Sequence, residues 1–85
     1  MGWVQQLIDR KIQKVLSTLQ RHPDREFHLQ ELSALSHVPL ASTFRIVRKL
    51  AAIGLLDVVK HGKMKMYHLN KDGKKELDAM FGGRR

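Results

Sequence analysis

The chain has 85 residues, which is the size of one small domain. It carries 16 Lys and Arg residues against 8 Asp and Glu residues, so its formal net charge is +8. An excess of this size favours a polyanionic partner, either nucleic acid or an anionic membrane surface. Because the sequence contains no cysteine, it excludes disulfides, thiolate metal sites and cysteine nucleophiles.

The distribution of apolar residues argues against a membrane protein. The sequence contains no apolar run long enough to span a bilayer, and its N-terminus lacks the pattern of a secretory signal. At 42% hydrophobic residues the chain is also too apolar to be a disordered basic tail. We therefore expect a soluble cytoplasmic protein, associated with the nucleoid if its partner is DNA.

The positive charge is concentrated in the second half of the chain. Residues 1–42 carry five basic and four acidic residues, whereas residues 43–85 carry eleven basic and four acidic residues, a net +7. This asymmetry is typical of a face that docks on phosphates. The alternative is a solvated basic surface that keeps a small protein in solution.

The first predicted element is a helix over about residues 3–21. Its apolar positions follow the i, i+3, i+4 spacing of a helix and are Trp3, Val4, Leu7, Ile8, Ile12, Val15, Leu16 and Leu19. They sweep roughly 220° of the helical wheel, whereas a surface helix needs a stripe of a little over 100°. We interpret the additional apolar surface of this helix as a dimer interface. The alternative is that the helix is central and deeply buried in its own domain.

The next two helices form a helix-turn-helix over about residues 29–53. A second helix is expected at about 29–36 and a third at about 40–53, which Gly54 ends in a left-handed conformation. A short extended segment, residues 26–28, precedes them. The positions expected to face inward are Leu29, Leu32, Leu35, Thr43, Ile46, Val47, Leu50 and Ile53.

A hairpin and a last helix complete the chain. Two short strands with a glycine-containing turn predict a β-wing over about residues 56–69. Asn70 is expected to cap a C-terminal helix at about 71–81. The fold class is therefore mainly α (α+β): a single winged helix-turn-helix domain over residues 1–85, with about four helices and a two- to three-stranded wing.

The stretch LQELSALSHVPLASTFRIVRKLAAIGLLDVV resembles the winged helix-turn-helix of prokaryotic transcriptional regulators of the ArsR, MarR and IclR kind. The stretch YHLNKDGKKEL is similar to the return strand of the wing and the helix that follows it. The resemblance covers about residues 27–79. It departs from the family pattern at His37, where members usually carry a small residue. The positions in register are Leu32, Val38, Ser42, Arg45, Val47, Leu50, Gly54 and Leu55.

The resemblance implies that the third helix enters the major groove of double-stranded DNA. Arg45 and Arg48 would read bases, since arginine can bond to O6 and N7 of guanine together. Contacts to phosphates or base edges are expected from Ser42, Lys49, Lys60, His61, Gly62, Lys63 and Lys65. Phe44 lies off the inward stripe; packing against the second helix is favoured over contact with a thymine methyl group.

A two-fold dimer would place two recognition helices at half-sites about 34 Å apart on one face of the DNA. The binding site is therefore expected to be palindromic or nearly so. The side chains expected to meet across the axis belong to the first and last helices and are Trp3, Val4, Leu7, Ile8, Leu77, Met80 and Phe81.

Other kinds of site find little support in the sequence. The five histidines lack the spacing of metal ligands, no phosphate-binding glycine loop occurs, and no cofactor or small-molecule effector is expected. We therefore expect a homodimeric, sequence-specific transcriptional regulator rather than an enzyme. The alternatives are a protein-interaction module that uses Phe44, Met64 and Met66, and a sequence-independent, chromatin-like nucleic-acid binder.

Overall fold

The computed structural model describes the backbone of residues 2–79 and the side chains of residues 10–79. Its elements in chain order are α1 (Gly2–Arg21), α2 (Leu29–Ser36), α3 (Leu40–Ala52), β1 (Leu56–His61), β2 (Met64–Leu69) and α4 (Lys71–Leu77). These elements, in this order, confirm the predicted winged helix-turn-helix. None of the helices in this part of the chain is long and apolar enough to cross a membrane.

The core lies where the three larger helices meet the base of the wing. The carboxyl-terminal half of α1 buries Val15, Leu16 and Leu19 there, at the spacing of one helical face. The other core side chains are Phe27, Leu32, Val38, Ile46, Val47, Leu50, Leu56, Tyr67, Leu69 and Leu77. This half of α1 is therefore an integral part of the domain.

The prediction of an inward-facing side chain is wrong for two residues, Ile53 and Leu35. Ile53 is 68% exposed because α3 ends at Ala52 and the backbone at Ile53 leaves the helical conformation. Leu35 is also exposed, since the short helix α2 buries Leu32 and Ser36, which lie one turn apart on its inner face.

The turn between α2 and α3 is held by a set of hydrogen bonds around His37. His37 adopts the left-handed conformation, with φ 59° and ψ 40°. Its N–H donates to the carbonyl of Ala34 at 3.3 Å, and the N–H of Val38 donates to the carbonyl of Ser33 at 3.2 Å. The hydroxyls of Ser33 and Thr43 both donate to the carbonyl of Val38. These bonds fix the angle between the two helices although His37 replaces the small residue expected here.

The wing is a two-stranded antiparallel hairpin whose register pairs Leu56 with Leu69 at its base. Gly62 turns the tip with a φ of 66°, a conformation that favours glycine. Phe27 forms a single β-bridge with Tyr67 of β2, on the side of this strand that does not pair with β1. The two residues exchange two backbone hydrogen bonds of 2.8 Å. This bridge fastens the segment before α2 to the wing.

The cap predicted at Asn70 is confirmed. Its side-chain oxygen accepts from the N–H of Gly73 at 2.8 Å, and its amide donates to the carbonyl of Gly54 at 2.8 Å. Gly73 lies directly against the backbone carbonyl of Leu55, leaving no space for a Cβ. The cap and the close contact together fasten α4 to the loop that follows α3.

The dimer role expected of Leu77 is wrong. Its side chain is 1% exposed and belongs to the core of its own domain, so it offers no surface to a second chain. The described α-helix ends at Leu77, whereas the sequence predicts a helix to about residue 81. Met80 and Phe81 lie outside the described residues.

Candidate nucleic-acid interface

α3 presents two faces of different chemistry. Thr43, Ile46, Val47 and Leu50 are buried at helical spacing and hold the helix against the core. The positions between them therefore point outward. The exposed side chains on this outer face include Phe44, Arg45, Arg48 and Lys49. The predicted exposure of the three cations is confirmed.

The prediction that Ser42 lies on the exposed face of α3 is wrong. It is 8% exposed, and Nζ of Lys11 on α1 donates to its hydroxyl at 3.4 Å. Ser42 lies one turn before Ile46, on the side of α3 that packs against α1. Its hydroxyl is thus directed toward α1.

An open cleft of about 280 Å³ lies between α1 and α3. Three cations, Lys11, Arg45 and Lys49, line it together with Ile12, Ser42 and Ile46. Lys11 is not among the candidates that the sequence predicts. Its position one turn before the buried Val15 is the signal that could have placed it beside α3.

The wing supplies three exposed lysines: Lys60, Lys63 and Lys65. His61 lies next to them, but its Nε2 is 3.1 Å from Oε1 of Glu26 in the segment before α2. The imidazole is therefore engaged with a carboxylate of its own domain.

A groove of about 530 Å³ separates α3 from the wing. Its wall on α3 includes Phe44 and Arg48, and its wall on the wing includes Val58, Lys65 and Tyr67. The guanidinium carbon of Arg48 lies 5.7 Å from the centre of the Phe44 ring, within the range of a cation–π contact. The fold thus brings a cation of the third helix and a cation of the wing to one groove.

We call the six cations of α3 and the wing the basic face: Arg45, Arg48, Lys49, Lys60, Lys63 and Lys65. Among the described side chains, the ion pairs are Arg25–Glu31 and Asp24–Lys74, and neither these nor the contact between His61 and Glu26 involves the basic face. Asp57 is the one acidic residue between positions 40 and 69, and its carboxylate accepts from Asn70. Residues 40–69 thus hold six cations against one carboxylate, so the basic face keeps a net positive charge.

Apolar side chains are interspersed with these cations. Phe44 is 41% exposed and lies outside the buried core, contrary to the packing role favoured from its sequence position. Val58 and Met64 on the wing are exposed to a similar extent. This part of the surface therefore combines positive charge with accessible apolar side chains.

The sequence matches the family model of the IclR helix-turn-helix domain over residues 11–59, more than half of the chain. This range includes the carboxyl-terminal half of α1, the whole helix-turn-helix and the first four residues of β1. No curated protein sequence matches the chain.

Solved structures with the same fold include a protein of Archaeoglobus fulgidus, with a TM-score of 0.73 at 16% identity, covering 85% of this chain and 81% of that one. A MarR family transcriptional regulator of Silicibacter pomeroyi gives 0.71 at 22% identity over 89% of this chain and 54% of its own. MepR, a transcription regulator of the Staphylococcus aureus multidrug efflux pump MepA, gives 0.74 at 15% identity over 85% and 54%. The chain thus spans about half the length of the two regulators, and these similarities show the winged-helix fold.

Proposed function

The chain belongs to the IclR helix-turn-helix domain family, and on that premise we propose that it is a transcriptional regulator that binds double-stranded DNA sequence-specifically as a homodimer. The observation that carries the proposal is the groove with Arg48 on one wall and Lys65 on the other. A DNA strand that follows this groove is contacted by both elements, at its base edges by Arg48 of the third helix and at its phosphates by Lys65 of the wing.

In the proposed complex α3 lies in the major groove, which is about 12 Å wide and admits one helix. Arg45 and Arg48 point away from the core and supply donors to guanine O6 and N7. Lys60, Lys63 and Lys65 on the wing bind phosphates, which set the position of the protein on the duplex.

Lys11 replaces Ser42 among the proposed contacts. Ser42 is only 8% exposed and its hydroxyl already accepts from Lys11, whereas Lys11 is an exposed residue that lines the cleft together with Arg45 and Lys49. An ammonium in this position extends the positive surface from α3 to α1. We propose that it contacts a phosphate beside the major groove.

The homodimer is proposed to form through the amino-terminal half of α1. A 20-residue helix is about 30 Å long, and α1 packs against the core from Ile12 onward. The apolar pattern before that point exceeds what one domain of this size buries. The proposed contacts, whose side chains lie outside the described ones, are Trp3, Val4, Leu7, Ile8, Met80 and Phe81.

A second candidate function is a protein-interaction module. The exposed apolar side chains at the groove, Phe44 and Val58, and Met64 near the tip of the wing favour it. This function and the DNA function use the same surface, so one experiment distinguishes them.

That experiment is the selection of bound sequences from a pool of random duplex DNA by the whole chain. We expect an enriched inverted repeat with half-sites about one helical turn apart, because two α3 helices would be related by a two-fold axis. The double variant Arg45→Ala/Arg48→Ala is the control and should give no enriched sequence. A folded wild-type protein that enriches none contradicts sequence-specific binding.

A further inference from the structure

We propose that Phe44 reads a thymine methyl group in the major groove, next to a guanine read by Arg48. The proposal rests on the DNA-binding function proposed above and names the bases that this part of α3 recognises. It concerns a side chain with no hydrogen-bonding group on a helix face otherwise rich in cations.

The exposure of Phe44 is the first observation. The core beneath α3 is filled by Thr43, Ile46, Val47 and Leu50, and Phe44 is 41% exposed outside it. The ring and the exposed side chain of Val58 line the same groove, so they form a patch of apolar surface of the kind that marks a binding site.

The position of the ring is the second observation. Phe44 lines the groove between α3 and the wing, on the same wall as Arg48 and across from Lys65. A DNA strand held between the two cations passes directly beside the ring. Phe44 is then adjacent to the base edges of that strand.

The chemistry of the major groove identifies what the ring recognises. The base pairs present hydrogen-bond donors and acceptors there, and the C5-methyl group of thymine is the apolar group among them. A phenyl ring offers no hydrogen bond, so it distinguishes base pairs through that methyl group. The inferred ligand of Phe44 is therefore thymine.

The contact between Phe44 and Arg48 limits the distance between the two bases that they read. The guanidinium lies 5.7 Å from the ring centre, one helical turn along α3. One turn advances about 5.4 Å, and successive base pairs are about 3.4 Å apart. The thymine read by Phe44 and the guanine read by Arg48 should thus lie within about two base pairs of each other.

Replacement of each thymine of the selected half-site by deoxyuridine tests the inference, because it removes the methyl group and leaves every hydrogen bond in place. We expect one position at which uridine weakens binding of the wild-type protein about 4-fold, the effect of one buried methyl group. Phe44→Ala should lose this sensitivity, whereas Phe44→Leu should keep part of it. Leu40→Ala is the matched control: Leu40 is an exposed apolar residue of α3 outside the groove, and its variant should keep the full sensitivity.

The outcomes separate this inference from the proposed function. A selected site that tolerates uridine at every thymine, or that contains no thymine near the guanine, overturns the role of Phe44 and leaves sequence-specific binding intact. An unchanged uridine effect in Phe44→Ala also overturns it. If the folded protein prefers no sequence, the proposed function fails and this inference fails with it. Thermal unfolding of each variant checks that the exposed substitutions leave the fold intact.

Discussion

Arg48 on α3 and Lys65 on β2 lie on opposite walls of one groove, so the third helix and the wing present a shared cationic surface. The backbone bridge between Phe27 and Tyr67 and the cap at Asn70 hold the wing and α4 in place on the core. The backbone positions that carry the two cations are therefore held in place by the fold. In the proposed complex, the duplex would therefore bind to a surface that is already arranged.

Lys65→Ala should weaken binding to specific and random duplexes by the same factor, since a phosphate contact carries no sequence information. The slope of log K against log salt concentration should fall by about one unit. Fluorescence anisotropy titrations at several salt concentrations measure this. Lys74→Ala removes the same charge from a lysine paired with Asp24 at 2.6 Å and should leave the slope unchanged. Equal effects of the two variants would contradict the role of Lys65.

Arg45→Ala should instead reduce sequence discrimination. Loss of a bidentate contact to guanine should cost about 1–3 kcal/mol on the specific site and much less on random DNA. A mobility-shift titration on both duplexes measures the difference. An equal loss on the two would show that Arg45 contacts phosphate rather than a base.

Gly73→Ala should destabilise the domain although it lies in a helix, where alanine is normally the better residue. An added Cβ would overlap the backbone carbonyl of Leu55, which a side-chain movement cannot relieve. We expect a loss of about 2–3 kcal/mol in the free energy of unfolding, measured by urea denaturation. A neutral or stabilising effect would contradict the close packing of α4 on the loop after α3.

His37→Gly should stabilise the domain by about 0.5–1 kcal/mol. His37 has a φ of 59°, a left-handed conformation that is strained for a residue with a Cβ. Glycine removes this strain, and the free energy gained should exceed the conformational-entropy cost of folding a glycine. His37→Val should destabilise, because a β-branched residue tolerates this conformation poorly. Urea denaturation of the two variants should therefore shift the midpoint in opposite directions. A shift in the same direction would contradict the turn geometry.

Leu7→Asp should shift the protein from dimer to monomer, because it places a charge in the proposed apolar interface. Trp3, the one tryptophan of the chain, reports this event through its fluorescence, which should move to longer wavelength on dissociation. Leu77→Ala is the comparison: it opens a cavity in the core of one domain and should lower its stability by about 2–5 kcal/mol. Sedimentation that finds a monomeric wild-type protein at micromolar concentration would contradict the dimer.

The order of the elements could be predicted because it depends on local chemistry. The inward stripe of α3, the cap at Asn70 and the left-handed Gly54 each follow from neighbouring residues. The exposure of Arg45 and Arg48 follows from the same stripe, since positions off the stripe point outward.

Relationships between distant elements could not be predicted. The direction of Ser42 depends on where α1 crosses α3, and helical spacing within α3 does not contain that information. Leu77 is an apolar residue of the last helix, which its sequence position makes a candidate for a dimer interface. Its burial depends on how α4 packs against the core, and that packing involves residues far away in the sequence. The pairing of His61 with Glu26 joins two segments that are far apart in sequence.

The most direct test of sequence-specific DNA binding is the ratio of two dissociation constants at about 150 mM salt. One is measured on the selected duplex and the other on a scrambled duplex of the same length and base composition. We predict that the folded protein binds the selected duplex at least about a thousand-fold more tightly, as specific regulators do. Equal affinities for the two duplexes would contradict it.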